Sequence, residues 1–153
     1  MNKSDLKIAI VGATGLVGQQ LVTILSERGY DLKQVHLAAS ERSVGRSVNL
    51  EGQLFTIQSI EAVHQQQPDV ALFSAGGDIT KAWASAFQKA GIRVIDNSSA
   101  YRMDPDTPLI IPEVNAGQLT TDHMLIANPN CSTIQLAMAL YPLHQAFGVE
   151  RVN

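Results

Sequence analysis

"LKIAIVGATGLVGQQLVTILSERG", residues 6–29, decides how this chain is read. Leu6 to Gly12 is a short, β-branched apolar run of the kind that forms a strand buried on both faces. The period then changes. Val17, Leu21, Ile24, Leu25 and Arg28 recur at helical spacing, and Gly29 supplies the left-handed residue that commonly ends a helix. Gly12, Gly15 and Gly18 occupy the junction. The unit is therefore strand, glycine turn, helix, and its recurrence organises the rest of the sequence.

Further apolar runs predict strands at "KQVHLAAS" (33–40), "DVALFSAGG" (69–77), "IRVIDNSS" (92–99) and "MLIANPN" (124–130). "SVNLEGQLFTIQS" (47–59) reads as two short extended pieces about the turn Glu51-Gly52. A brief helix is predicted over Ile60 to Gln67, stopped by Pro68. A longer one spans "TKAWASAFQKAG" (80–91), with Trp83, Ala86, Phe87 and Ala90 on one face and Gly91 as the stop. The last helix runs from about Cys131 to Phe147, with a kink or break at Pro142 and an end at Gly148. The segment 101–123 between them carries three prolines and reads as a long functional loop.

Strands alternating with helices predict an α/β fold: a Rossmann-like, mostly parallel sheet with helices on both faces. Ligands in that architecture bind at the carboxyl ends of the strands. Here those ends read "GATG", "AASERS", "SAGG", "DNSS" and "NPNC", all small, polar or reactive.

Composition is consistent with one ordinary globular domain: 153 residues, 45% hydrophobic and 16% charged. A net charge of −3 with scattered Lys and Arg argues against nucleic acid and anionic membrane as partners. No apolar run reaches the roughly 20 residues that span a bilayer. The N-terminus does not read as a signal peptide, so a cytoplasmic location is expected. A single cysteine makes neither an internal disulfide nor a Cys-rich zinc site, and no metal is expected.

The G-x-x-G-x-x-G spacing, placed between strand and helix, is a variant of the dinucleotide fingerprint. Its glycines let the backbone turn sharply beside a pyrophosphate, and the helix end favours anionic oxygen. Gly12 belongs to this turn. Ser74, Ala75 and Gly76 follow a second strand, at a crossing where a ligand would also lie. After the strand "KQVHLAAS", an NAD site would place an acid on the ribose hydroxyls. Glu41 is available there, yet Ser40, Arg42 and Ser43 together suit a 2′-phosphate, so NADP is expected over NAD. The alternative for Arg42 is a solvated loop charge.

Cys131 follows Pro129-Asn130 at the start of the last helix. Helix N-termini stabilise thiolates, and their N–H groups suit an oxyanion, so this cysteine reads either as a nucleophile or as a small buried hydrophobe. Asn130 and Ser132 are candidate caps. Gln135, one turn on, touches the thiol or simply packs. A thiolate beside a nicotinamide site suggests reduction of an activated acyl group through a thioester. Such chemistry also wants a histidine. His36 falls in a strand and His64 on a surface helix. His144 lies 13 residues along the last helix, about 20 Å from Cys131. His123 is the only local choice, and a surface position suits it better. Arg102, just past a strand end, is a candidate anion-binding fork.

Taken together, "GATGLVG", "SAGG", "DNSSAYR", "PEVN" and "NPNCSTIQ" resemble aspartate-semialdehyde dehydrogenase, over essentially the whole chain and most specifically around Cys131. The resemblance implies that Cys131 is the acyl-forming nucleophile. It also implies that Thr14, Gly15, Leu16 and Val17, with Arg42 and Ser43, hold NADP, and that Arg102, with Asn130 beside the cysteine, meets the phosphate-bearing substrate. The implied reaction converts β-aspartyl phosphate to aspartate β-semialdehyde and phosphate with NADPH, feeding lysine, threonine and methionine synthesis.

The family is much longer than this chain. Residues 1–153 are therefore expected to be its NADP-binding part, with the substrate and dimerisation domain and the catalytic histidine elsewhere. Full-length members are expected to be homodimers. On this reading, the present polypeptide alone binds NADPH weakly and turns over little substrate. N-acetyl-glutamyl-phosphate reductase resembles the scaffold but differs around its cysteine. Malonyl-CoA reductases, or a non-catalytic cofactor-binding relative, are the other readings.

Overall fold

The computed structural model describes residues 3–152. The chain begins with β1 (Ile8–Val11), whose four residues are all buried, and passes through the glycine turn into α1 (Leu16–Glu27). Gly29, at φ +73°, closes that helix: its N–H donates to Ser26 O at 2.9 Å, and Tyr30 N–H donates to Leu25 O at 3.0 Å. β2 (Val35–Ala38) follows. β3 (Ser47–Leu50) and β4 (Gln53–Thr56) then form an antiparallel hairpin. Glu51 and Gly52 turn it with φ of 52° and 77°, the paired left-handed residues that a tight two-residue hairpin needs. α2 (Ile60–Gln65), β5 (Val70–Phe73), α3 (Gly77–Lys89), β6 (Arg93–Asp96), α4 (Pro112–Asn115), β7 (Leu125–Ala127) and α5 (Cys131–Phe147) complete the order.

Five strands form one all-parallel sheet in the order β2-β1-β5-β6-β7. Ile8 pairs with Val35 on one side and Val70 on the other, and Val94 pairs with Leu125. The chain lays β2 beside β1, then crosses back to place β5 on the opposite side. The carboxyl ends of β1 and β5 therefore border the point where the winding reverses, the usual ligand crevice of such sheets. Alternate residues feed two cores. Ile8 and Ile10 pack with Val22, Leu25, Leu37 and Phe55 under α1 and the hairpin. Ala9 and Val11 face the other way, with Val63, Phe73, Ala84 and Phe87 under α2 and α3. Helices thus cover both faces of a parallel sheet, as the sequence predicts.

Four details depart from the sequence reading. The buried stripe of α1 is Gly18, Val22 and Leu25, while Val17 is 45% exposed. The offset arises because Gly18, without a Cβ, is the residue that lies against the glycine turn: a Cβ there would sit 2.4 Å from Gly12 O. α3 starts at Gly77, ahead of the expected Thr80, with Asp78 in its first turn where the helix dipole favours an acid. α5 continues through Pro142, so of the kink or break read there the break is absent. The hydrogen bond lost there leaves a carbonyl near exposed Met138 and exposed Pro142, where water can take its place. Finally, segment 101–123, read as one long loop, carries a short helix. That helix is α4, and Leu109 bridges in parallel to Ala127 beyond β7.

Candidate active site

Every sequence-predicted site residue stands at or just beyond the carboxyl edge of the sheet. At the end of β1, Gly12 adopts φ +93°, and a Cβ there would meet Ser74 O at 2.4 Å. Only glycine allows the ends of β1 and β5 to approach so closely. The N–H groups of Gly12 and Ala13 both donate to Ala38 O, at 2.9 and 3.0 Å, which ties the turn to the end of β2. Gly15 caps α1 without any side-chain acceptor. Thr14, Gly15, Leu16 and Val17 are all exposed, so the start of α1 is open to an anionic ligand. A shallow cradle of backbone with no side chain over it suits a pyrophosphate, and the residues present fit a dinucleotide cofactor.

Beyond β2, Glu41–Ser43 makes one turn of 3₁₀ helix with Ser40 before it. This turn separates two cavities. One, of about 360 Å³, gathers Thr14, Gln19, Ser43, Arg46 and Asn49. The other, of about 430 Å³, gathers Ser40, Arg42, Ser59, Ile79 and Trp83. Ser43 and Arg42 thus face different spaces, and the cation that shares a cavity with Thr14 and Ser43 is Arg46. The sequence reading passed over Arg46, although it lies four residues past Arg42 in the same polar stretch.

At the end of β5, Ser74 N–H donates to Val11 O at 2.8 Å, and Gly76 takes φ +88° before α3 begins. Ser74 and Ala75 are half-buried and Gly76 is exposed. At the end of β6, Asn97 N–H donates to Phe73 O at 2.8 Å. Arg102 is half-buried and already oriented. Its Nε donates to Asn128 O and its Nη2 to Asn97 O, both at 3.0 Å. The Asn128 amide donates in turn to Asn97 Oδ1 at 2.7 Å. Two carbonyls therefore hold one edge of the guanidinium and leave Nη1 for an anion. Asn128 stands three residues before Cys131, which brings the arginine to the cysteine turn.

Cys131 is the first residue of α5 and is exposed. It does not pack into either core of the described residues. Asn130 is the N-cap, its Oδ1 accepting Ser132 N–H at 3.0 Å. That donor is thereby occupied and is not free for an oxyanion. Gln135, one turn on, is exposed rather than packed.

No histidine of this chain stands at the thiol. His36 pairs with Ala9 inside the sheet, and burial, followed by the positive charge of Lys7, pulls its pKa below the ordinary 6.5. His64 Nε2 lies 3.2 Å from Ala86 O, and the ring meets Phe87 edge-on. His123 precedes β7 and so lies at the amino edge of the sheet, where its Nδ1 accepts Thr120 N–H at 3.0 Å. His144 is separated from Cys131 by most of the continuous helix α5. Among the described residues no group of three His, Cys, Asp and Glu side chains could hold a metal. Nor is any helix long and apolar enough to cross a membrane.

A sheet of this winding with a glycine cradle at its reversal point defines a nucleotide-binding α/β protein. The chain belongs to the semialdehyde dehydrogenase family, whose NAD-binding domain model matches residues 7–122. It is 46% identical over 147 residues to the aspartate-semialdehyde dehydrogenase of Bacillus subtilis, covering 96% of this chain and 42% of that one. Identity to aspartate-semialdehyde dehydrogenase 2 of Vibrio cholerae is 44% over 151 residues, covering 97% and 45%. A crystal structure of the Vibrio cholerae enzyme complexed with ASA superposes with a TM-score of 0.87 at 44% identity, covering 94% of this chain and 48% of that one. The Candida albicans enzyme, solved with NADP, gives a TM-score of 0.77 at 27% identity, covering 94% and 48%. The chain thus spans about half the length of the relatives it matches.

Proposed function

We propose that this chain is the NADPH-binding, cysteine-bearing part of an aspartate-semialdehyde dehydrogenase, which reduces β-aspartyl phosphate to aspartate β-semialdehyde and phosphate. One observation carries the reading: the glycine cradle, the oriented Arg102 and the exposed Cys131 line one edge of one sheet, on β1, β6 and β7. β1 and β7 are three strand spacings apart, about 14 Å, a crevice suited to an extended dinucleotide with a small substrate at its far end. The relatives solved with NADP and with ASA support the two ligand classes.

In this reading Gly12 and residues 14–17 hold the pyrophosphate. Ser40 and Arg42 meet the adenosine end with its 2′-phosphate from one side of their 3₁₀ turn, Ser43 and Arg46 from the other, and residues 74–76 line the crevice beside them. The Cys131 sulfur attacks the acyl carbon, and the carbon–oxygen bond to phosphate breaks as the thioester forms. The leaving phosphate moves onto the free edge of Arg102, with Asn130 beside it. When bound, NADPH supplies the hydride that reduces the thioester carbon. The resulting thiohemiacetal then releases the aldehyde and restores the thiol. None of this chain's four histidines stands at the thiol, so the proton-moving histidine that the family resemblance implies is not among them.

The test is alkylation of Cys131 by iodoacetamide, followed by mass spectrometry with and without NADPH. Bound NADPH is expected to change the rate, and Arg42→Ala to weaken that effect for NADPH more than for NADH. A rate indifferent to cofactor would overturn the single-site reading.

A further inference from the structure

Asp96 is fully buried at the carboxyl end of β6. Its Oδ1 accepts Ser98 N–H at 2.8 Å, and its Oδ2 accepts the Ser98 hydroxyl at 2.8 Å. The Ser98 oxygen in turn accepts Ala100 N–H at 3.1 Å. On the other side, the Thr80 hydroxyl lies 3.1 Å from Asp96 Oδ1 and 3.0 Å from Gly76 O. Thr80 is itself fully buried on α3. The backbone of Asp96 takes part too, its carbonyl accepting Asn128 N–H at 2.8 Å.

These bonds run in two directions. They reach Gly76, the positive-φ residue before α3, through Thr80: its single hydroxyl proton serves Asp96 Oδ1 while its N–H donates to Gly76 O at 3.1 Å. Through Ser98 and Ala100 they shape the turn that presents the Asn97 carbonyl, to which Arg102 is bound. A carboxylate suits this place because it accepts on both oxygens at once, whereas an amide would turn one acceptor into a donor facing the Ser98 hydroxyl. Buried polar networks of this kind are rigid when every member is satisfied and costly when one is lost.

Building on the reading above, we propose that Asp96 is a positioning residue that sets the cofactor loop and the anion-binding Arg102 from a single buried carboxylate. Thr80 is its arm toward the cofactor and Ser98 its arm toward the anion.

The experiment measures NADPH binding by fluorescence and inorganic phosphate binding by calorimetry on the full chain and its variants. Thermal unfolding of each is followed in parallel. Ser98→Ala is expected to weaken phosphate by about tenfold with NADPH little changed, the size of one lost buried hydrogen bond. Thr80→Val should do the reverse, and Thr80→Ser, which keeps the hydroxyl, should restore NADPH affinity. Asp96→Asn should weaken both. A residue that only stabilises the fold would lower the melting temperature without separating the two affinities. Equal losses of both ligands in Ser98→Ala and Thr80→Val would overturn the proposal, as would folded variants with unchanged affinities. If the unaltered chain binds phosphate no better than Arg102→Ala does, the functional reading itself fails, independently of Asp96.

Discussion

α1 and α5 both begin at the carboxyl end of a strand, yet they are held in opposite ways. α1 starts at a glycine with no side-chain cap and is fixed from beneath, with Gly18, Val22 and Leu25 buried against the sheet. α5 starts with an Asn130 cap and buries no residue along its 17, while Phe147 at its far end is 83% exposed. Backbone packing defines the cofactor turn. Local hydrogen bonds at the β7 end define the cysteine turn. Damage to the core should therefore reach the first site and spare the second.

The largest separation is expected from glycines. Gly12→Ala forces a Cβ onto Ser74 O at 2.4 Å with φ at +93°, and should cost roughly 3 kcal/mol or more and abolish NADPH binding. Gly148→Ala, at φ +69° with open space around it, should cost about 1 kcal/mol and leave the site intact. Urea unfolding of the two variants measures the difference, and equal losses would break the comparison. A smaller effect comes from side chains. Val22→Ala removes buried methyls under α1 and should cost about 2 kcal/mol, whereas Leu136→Ala, at a position 52% exposed on α5, should stay within about 0.5 kcal/mol.

The smallest expected effect concerns His36, in the strand beside β1. Its native pKa lies below the ordinary 6.5, so the unfolded chain binds the proton more readily than the native one. The corresponding stability is complete above pH 6.5 and is lost as the pH falls through that value toward the lower native pKa. Urea midpoints at about pH 8 and about pH 5 should fall less for His36→Gln than for the unaltered chain. An identical acid loss in both would remove His36 as a contributor.

Much of this architecture is legible in the sequence because its determinants are local. A β-branched run such as Ile8–Val11 has few other uses, and Gly12, Gly29 and Gly91 all adopt the positive φ that their positions demand. Cys131 is legible as a helix start because Pro129 and Asn130 precede it. What escaped depends on partners distant along the chain. Thr80 meets Asp96 only because α3 packs beside β6, and Arg102 finds Asn128 only because β7 adds next to β6. The same holds for Arg46, whose place beside Thr14 is set by the fold around the hairpin. α4 was hidden because four residues carry too little periodicity to register.

The single bridges at the two margins of the sheet have a further consequence. Gln58 pairs with Ala38 outside β2, and Leu109 pairs with Ala127 outside β7. Each lays a short irregular strip along what would otherwise be an open edge strand, with its row of unpaired amides and carbonyls. A chain rich in apolar parallel strands is prone to edge-to-edge aggregation while it folds. At their carboxyl ends, next to the site, both edge strands are therefore covered rather than offered to another strand.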